Sequence, residues 1–178
     1  MKDKNTKSIQ SYLLAVLGCI VLTVLDQLTK WLAVIHLKDQ EPFVLWKGVF
    51  KLEYLENRGA AFGIMQDRQI LFAVGAVVIV CLIGFIYGRM PHTSRYYLLR
   101  ICAVMICAGA IGNMIDRLRL NYVVDFFYFR LIDFPVFNVA DIYVTVSFAV
   151  LLLLVFFQYK EEDLEFFGKK KGTSADGE

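Results

Sequence analysis

Four stretches of the chain contain neither acidic nor basic residues, and more polar segments separate them. The uncharged stretches are residues 12–25, 70–87, 101–115 and 142–157. A helix needs about 20 mostly apolar residues to cross roughly 30 Å of hydrocarbon, and flanking residues extend each stretch to that length. The pattern therefore predicts four membrane-spanning helices, at about residues 11–35, 70–88, 97–116 and 138–158.

The two long segments between these helices have a different pattern. Phe50, Leu52 and Tyr54 alternate with charged residues, which is the period of a half-buried strand. Residues 122–129 are rich in aromatic and β-branched side chains, which favour strands. A lone hairpin is only marginally stable, so we predict a small β-sheet that packs on the helix ends with its apolar face towards the bilayer. The predicted fold class is an all-α integral membrane protein with four transmembrane helices and this small extracytoplasmic β-sheet.

Composition and charge add an orientation. The chain has 178 residues, of which 58% are hydrophobic and 20% charged, whereas soluble domains are about 45–50% apolar and about 25% charged. Basic residues precede the first span, fill the link between the second and third, and follow the fourth. Such residues mark the cytoplasmic side, so both termini are expected in the cytoplasm and residues 36–69 and 117–137 on the outer side. We treat residues 1–160 as one membrane domain and residues 161–178 as a cytoplasmic, largely disordered tail.

Two ionisable residues interrupt the first predicted span. Charged groups at membrane depth are costly and usually have a specific partner or function. Asp26 and Lys30 are four residues apart, so they lie on one helix face and can form an ion pair. One interpretation is an internal ion pair that orients the helix, and the other is a direct role in substrate binding.

Two further acids are predicted to lie at the outer face. Asp125 interrupts an apolar run, and Asp141 follows Asn138 at the start of the fourth span. Asp141 could simply complement the helix dipole while Asn138 caps the helix. No single helix face can present both acids, so the chain around Pro135 must fold back if Asp125 and Asp141 are to meet.

A meeting of these two acids would have definite chemistry. Two close carboxylates cannot both ionise readily, so one keeps a proton and polarises a carbonyl while the other takes a proton from water. No cofactor and no metal are expected. The two histidines, His36 and His92, are predicted on opposite sides of the membrane, and the four cysteines all lie in uncharged stretches without the spacing of a metal site or disulfide framework.

Polar and small residues near the outer helix ends complete the candidate set. Residues 57–63 contain glycines and alanines that permit a turn and a close backbone approach. Gly109 and Gly112 allow tight helix packing next to Asn113. Asp116 and Arg117 are predicted to mark the exit from the membrane, where Arg117 either binds a substrate carbonyl or head group or pairs with Asp116; we favour the pairing.

Five blocks of the sequence resemble the lipoprotein signal peptidases, the signal peptidase II family. The blocks are residues 26–30, 57–62, 109–113 with 116–117, 123–126 and 137–141. They occur in the family's order across roughly residues 12–158. One block would be weak support, whereas five in order are highly specific.

The resemblance implies a bacterial aspartic endopeptidase of the cytoplasmic membrane. It would remove the signal peptide from prolipoproteins, cutting just before a diacylglyceryl-modified cysteine. The resemblance also implies that Asp125 and Asp141 are the catalytic pair, near the extracytoplasmic face. The residues expected to line or support the substrate pocket are Asn57, Gly59, Asn113, Arg117 and Asn138, with Asp26 and Lys30 less directly involved. Expected partners are diacylglyceryl-modified prolipoproteins and membrane lipids, with no nucleic acid, and we expect a monomer.

Two other classes of protein remain open at this point. In a small transporter or channel, Asp26, Lys30, Asp125 and Asp141 would relay ions, although such groups usually lie near the midplane, often in repeated halves. In a non-catalytic assembly factor, the acids would only cap and pair. The sequence has no internal repeat and places the acids towards one face, which favours the peptidase.

Overall fold

Four long helices form the protein, and the computed structural model describes residues 2–59 and 68–164. Within these residues the helices are α1 (Lys2–Leu37), α2 (Gln69–Arg89), α3 (Tyr97–Leu120) and α4 (Val139–Leu153), followed by a short α5 (Glu161–Leu164). A 3₁₀ turn (Ser94–Tyr96) precedes α3, and a π-helical turn (Leu154–Gln158) extends α4. Each of the four predicted spans overlaps one of the long helices, which confirms the predicted fold class.

The long helices are apolar enough and long enough to cross a membrane. The candidate spans in the described residues are Ser8–Leu37, Gln69–Arg89, Ser94–Leu120 and Val139–Gln158. At 36 residues, α1 is about 54 Å long, well beyond the roughly 30 Å of a hydrocarbon core. The central helix is α3, which contacts each of the other three.

A three-stranded antiparallel sheet lies at one end of the bundle. Its order is β1 (Phe43–Trp46), β2 (Phe50–Asn57) and β3 (Val123–Phe129). The two strands predicted from sequence are present, and β1 is an addition. The run in β1 is continuously apolar and all four side chains are exposed, so it has no alternation by which a strand could be recognised.

The sheet packs on the C-terminal end of α1, in line with the predicted packing on the helix ends. Ala33 of α1 is buried with Val124 and Phe126 of β3, and Leu52 and Tyr54 of β2 pack against the same cluster. The register between β2 and β3 shifts between Leu52 and Leu55. Such an irregularity re-aims the side chains beyond it, and here those side chains include Asn57. Contact of the sheet with the bilayer stays a prediction.

A second apolar cluster closes the opposite end of the bundle. Tyr87 and Met90 at the end of α2 are buried with Tyr96 and Tyr159. Asp163 forms a double hydrogen bond with Arg95, at 2.6 and 2.5 Å. These bonds connect α5, in the segment after α4, to the link before α3. Residues 165–178, the rest of the predicted disordered tail, lie outside the described residues.

Candidate active site

Asp125 lies in the middle of β3, where the sheet and the following chain bury it. Its partner in the register is Leu55 of β2, and its side chain is only 1% exposed. After β3 the chain reverses through a 3₁₀ turn, and Phe137 then bonds back to Phe127 in both directions, at 2.9 and 3.0 Å. The predicted fold-back around Pro135 is present, and it brings Asn138 beside Asp125.

Asp141 is held by the N-terminus of α4. Asn138 is the N-cap, and its Oδ1 accepts from the Asp141 amide at 3.0 Å. Oδ2 of Asp141 accepts in return from the backbone N–H of Asn138 at 3.1 Å, which completes a capping box. The capping interpretation is therefore correct, but it uses only one of the two carboxylate oxygens.

The other oxygen of Asp141 joins a hydrogen-bond network that extends to Asp125. The amide of Asn113 donates to Asp141 Oδ1 at 2.8 Å. The side-chain amide nitrogen of Asn138, Nδ2, donates to Asp125 Oδ1 at 2.6 Å and to Asn113 Oδ1 at 3.1 Å. Asn57 donates to Asp125 Oδ2 at 2.9 Å. Three asparagines from three elements thus join both acids in a single hydrogen-bond network.

Burial dominates the electrostatics of this network. It raises the pKa of Asp125 from its ordinary value to about 7, with a further contribution from the nearby charge of Asp141. Hydrogen bonds from Asn57 and Asn138 oppose the shift. Among the described residues, neither acid forms an ion pair with a lysine or arginine. The arrangement therefore favours one proton on the pair near neutral pH.

A second polar cluster lies directly beneath the acids, between α1 and α3. Lys30 contacts Asp26 Oδ2 and Asp116 Oδ2, both at 3.0 Å, with all three side chains nearly inaccessible. The predicted Asp26–Lys30 ion pair is thus confirmed. Asp26 Oδ1 also accepts from the Ala140 amide at 2.9 Å, which ties α1 to the start of α4.

The favoured pairing of Asp116 with Arg117 was wrong. The helix α3 also continues to Leu120, beyond its predicted end near residue 116. Asp116 pairs with Lys30, while Arg117 donates to the carbonyls of Asn113 and Gly59 at 3.4 Å. Charge pairing with a residue one position away requires side chains that face each other, and adjacent residues on a helix do not.

The turn after β2 is described only in part. The Gly59 amide donates to Asn57 Oδ1 at 3.0 Å, which sets the orientation of the Asn57 side chain. Residues 60–63 of the predicted turn lie outside the described residues. A depression of about 470 Å³ borders this turn. Its lining residues are Arg58, Arg68, Gln69, Ile70, Leu71 and Asn121, so it contains neither acid.

Sequence reasoning gave no role to Gln27. Its amide donates to Asp26 Oδ2, to the Gly112 carbonyl and to Asp116 Oδ1 at 3.0–3.2 Å. The available signal was a polar amide within an apolar span, next to an acid that itself needed a partner.

The described residues contain neither a histidine pair nor a cluster of metal ligands that could form a catalytic site. His36 lies in the last turn of α1, whereas His92 packs against Tyr12 near the other end, with ring centroids 6.2 Å apart. The described part of the chain has no cluster of His, Cys, Asp and Glu that could hold a metal ion. What the site offers is two carboxyl groups and the amides that bind them.

The helices, the small sheet and the buried acids together define a predominantly helical membrane protein with an acid site at one end of its bundle. Comparison with known families makes the assignment specific. Residues 18–157 match the model of signal peptidase (SPase) II, and the chain belongs to the signal peptidase II family of peptidases.

Individual relatives agree with this assignment. Lipoprotein signal peptidases of Streptococcus pyogenes serotype M5 (strain Manfredo) and serotype M18 (strain MGAS8232) are each 43% identical over 152 residues, covering 84% of this chain and 95% of the relative. A bacterial membrane enzyme structure determined by the in meso method at 2.3 Å resolution superposes with a TM-score of 0.68 at 23% identity, covering 89% of this chain and 93% of the other. That likeness concerns the fold.

Proposed function

We propose that this protein is an aspartic endopeptidase that removes the signal peptide of prolipoproteins, cutting just before a diacylglyceryl-modified cysteine. Membership of the signal peptidase II family and the similarity to lipoprotein signal peptidases support the substrate class. The observation that carries the mechanism is the network in which Asn138 bonds to both Asp125 and Asp141, while Asn113 bonds to Asn138 and Asp141. The charge of Asp141 also raises the pKa of Asp125, so one acid of the pair can hold a proton while the other is a carboxylate.

Asp141 is the general base in this proposal. Both acids accept N–H groups at both oxygens, so burial and not hydrogen bonding distinguishes them. Asp141 is the less buried of the two acids, and burial disfavours the charged form of Asp125. Asp141 takes a proton from a water molecule as the water oxygen attacks the carbonyl carbon of the scissile peptide bond.

Asp125 is the general acid. Its raised pKa of about 7 keeps a proton available near neutral pH, and this proton polarises the scissile carbonyl oxygen. The resulting tetrahedral intermediate collapses when the amide nitrogen receives the proton held by Asp141, and the C–N bond breaks. Asp141 is then a carboxylate again, and the proton that Asp125 shared with the carbonyl oxygen returns to Asp125 as the product carbonyl re-forms, which restores the starting state.

The remaining predicted site residues divide into two groups by burial. Asp26 and Lys30 are 0% and 3% exposed, which favours a supporting role over direct substrate contact. Asn57, Gly59, Asn113 and Arg117 surround the acids, and Asn138 joins them. We assign this second group to the support of the acids and the orientation of the peptide.

The location of the substrate fits the surroundings of the acids. A prolipoprotein with a lipidated cysteine lies in the bilayer, so the enzyme should present its acids near a membrane boundary. Apolar side chains are widely exposed on the helices around them, as expected of surfaces in contact with membrane lipids. With both termini in the cytoplasm, as the distribution of basic residues indicates, the acids would face the extracytoplasmic side. A monomer without cofactor or nucleic acid is sufficient for this chemistry.

Neutral replacement of each acid tests the proposal. Asp125→Asn and Asp141→Asn should each lower processing of a diacylglyceryl-modified prolipoprotein by about 10²–10⁴-fold or more, the range for loss of a general acid or base. The matched control is Asp116→Asn, which makes the same chemical change at a buried acid outside the pair. Full processing by a folded Asp125→Asn or Asp141→Asn protein would refute the dyad.

A further inference from the structure

The ammonium group of Lys30 makes one contact that an ion pair does not require. An ammonium has three hydrogens to donate and no acceptor. Two are directed to the carboxylates of Asp26 and Asp116 at 3.0 Å. The third reaches Oδ1 of Asn113 at 2.8 Å, the shortest of the three contacts. Lys30 is therefore bonded to a residue that is itself bonded to Asp141.

This contact decides which way the Asn113 amide points. Its oxygen accepts from Lys30 and also from the amide nitrogen of Asn138 at 3.1 Å. With two donors on that side, the NH₂ group must face the other way, where it donates to Asp141 Oδ1 at 2.8 Å. A flipped amide would place its hydrogens against an ammonium group and leave Asp141 facing an oxygen.

The other two asparagines of the site are oriented differently. The oxygen of Asn138 accepts from the Asp141 backbone amide, and that of Asn57 accepts from the Gly59 backbone amide. Backbone N–H groups fix these two side chains, so no side chain substitution nearby would release them. Asn113 alone among the three is oriented by side chains, and Lys30 is the only one of those that carries a charge.

We propose that Lys30 is a positioning residue of the acid pair, which fixes the Asn113 amide so that its NH₂ group donates to Asp141. The carboxylate of Asp141 is thereby held as an acceptor, in the form and orientation that a general base needs. This inference rests on the proposed function and adds to it a residue that touches neither acid.

A double-mutant cycle tests this coupling. Lys30→Met, Asn113→Leu and the double variant are compared for kcat and KM on a diacylglyceryl-modified prolipoprotein. Misplacement of a catalytic group costs on the order of 10²-fold, so each single variant should lower kcat by about that factor with KM changed less than about threefold. Because Lys30 acts through Asn113, the double variant should be no slower than Asn113→Leu alone. Losses that multiply in the double variant would overturn the proposal.

Asp116→Asn is the matched control for the ion pair. It disrupts another 3.0 Å contact of the same ammonium and leaves the contact with Asn113 intact. We expect a lower thermal midpoint but a kcat within about threefold of wild type, smaller than the positioning effect. A loss of kcat equal to that of Lys30→Met would mean that the ion pair, and not the amide orientation, matters.

A further variant keeps the test decisive if Lys30→Met does not fold. Asn113→Asp retains an oxygen towards Lys30 but places a second oxygen where the NH₂ group faced Asp141. It should lower kcat and move the pH dependence of kcat towards higher pH, because a nearby negative charge makes the acid pair harder to ionise. Wild-type kcat and an unchanged pH profile would contradict the proposal. Failure of the proposed function is distinguishable, since it would appear as activity in Asp125→Asn or Asp141→Asn.

Discussion

Two groups of buried acids lie at the same end of this bundle, and they differ in what surrounds them. Asp26 and Asp116 share the ammonium of Lys30 at 3.0 Å. Asp125 and Asp141 have only amide partners in the described residues, those of three asparagines and the Asn138 backbone. The first group is paired with a cation and connects α1 to α3, whereas the second group has no lysine or arginine ion pair in the described residues.

The two groups are linked, which makes the contrast informative. Asn113 bonds to Lys30 on one side and to Asp141 on the other, and the Ala140 amide, next to Asp141, bonds to Asp26. The charged cluster thus supports the reactive pair. Loss of a carboxylate from the cluster should mainly reduce stability, whereas loss of an acid from the pair, or of Lys30, which orients Asn113, should reduce activity.

The largest expected effect on stability comes from the charged cluster. Asp26→Asn removes one carboxylate from Lys30 while Asp116 remains, so the free energy of unfolding should fall by roughly 3 kcal/mol, the low end of the cost of breaking a buried ion pair. Thermal unfolding in detergent measures this change. The control is Asp39→Asn at an exposed position whose φ of 57° asparagine tolerates. Equal midpoints for the two variants would show that the buried pair contributes little.

Close packing against the same cluster gives the next largest effect. A Cβ atom added at Gly112 would collide with the carboxylate of Asp26, whereas one added at Gly84 would meet nothing within 4 Å. Gly112→Ala should lower the free energy of unfolding by about 1–3 kcal/mol, as overpacking does. Gly84→Ala should leave it unchanged or raise it by up to about 1 kcal/mol, since alanine has the higher helix propensity. A Gly112→Ala protein as stable as wild type would argue against this packing.

The smallest effect on stability is expected at the reactive pair. Asp125→Asn loses one hydrogen-bond acceptor, which is destabilising. It also removes a buried carboxyl group that has no ion pair, which is stabilising. At pH 8 the free energy of unfolding should therefore stay within about 1 kcal/mol of wild type. The pH dependence should change in a definite direction. The pKa of Asp125 is raised to about 7 in the folded protein, so the folded state binds more protons than the unfolded state between about pH 4 and 7.

The contribution of Asp125 to wild-type stability therefore decreases as the pH rises through that range, by linkage. Asp125→Asn should remove this part of the decrease, which unfolding midpoints at pH 5 and pH 8 would reveal. The contribution of Asp125 would be refuted if both proteins lost the same stability between the two pH values.

Much of the fold follows from residue type along the chain. Uncharged stretches predicted the four helices because a charged side chain that faces lipid is energetically costly. The Asp26–Lys30 pair followed from helical spacing, since both side chains had to share one face. The fold-back at Pro135 followed from the need to bring Asp125 to the start of α4.

Other features depend on contacts that sequence spacing does not reveal. The strand β1 is uniformly apolar, so its alternation is absent and its pairing with β2 comes from the hairpin turn, where Gly48 has a φ of 79°. Asp116 could be assigned to Lys30 and not to Arg117 only once α1 and α3 were placed side by side. The bonds of the three asparagines depend on tertiary structure in the same way, because their partners come from different elements.

The pH dependence of kcat/KM for cleavage of a diacylglyceryl-modified prolipoprotein tests most directly whether Asp125 and Asp141 act as one proton-sharing pair. This ratio reports the ionisation of the free enzyme. With the pKa of Asp125 raised to about 7, the account predicts that kcat/KM falls as the pH rises through about 7, where the pair loses its shared proton. A value that stays constant from pH 6 to pH 9 in a protein that remains folded would contradict it.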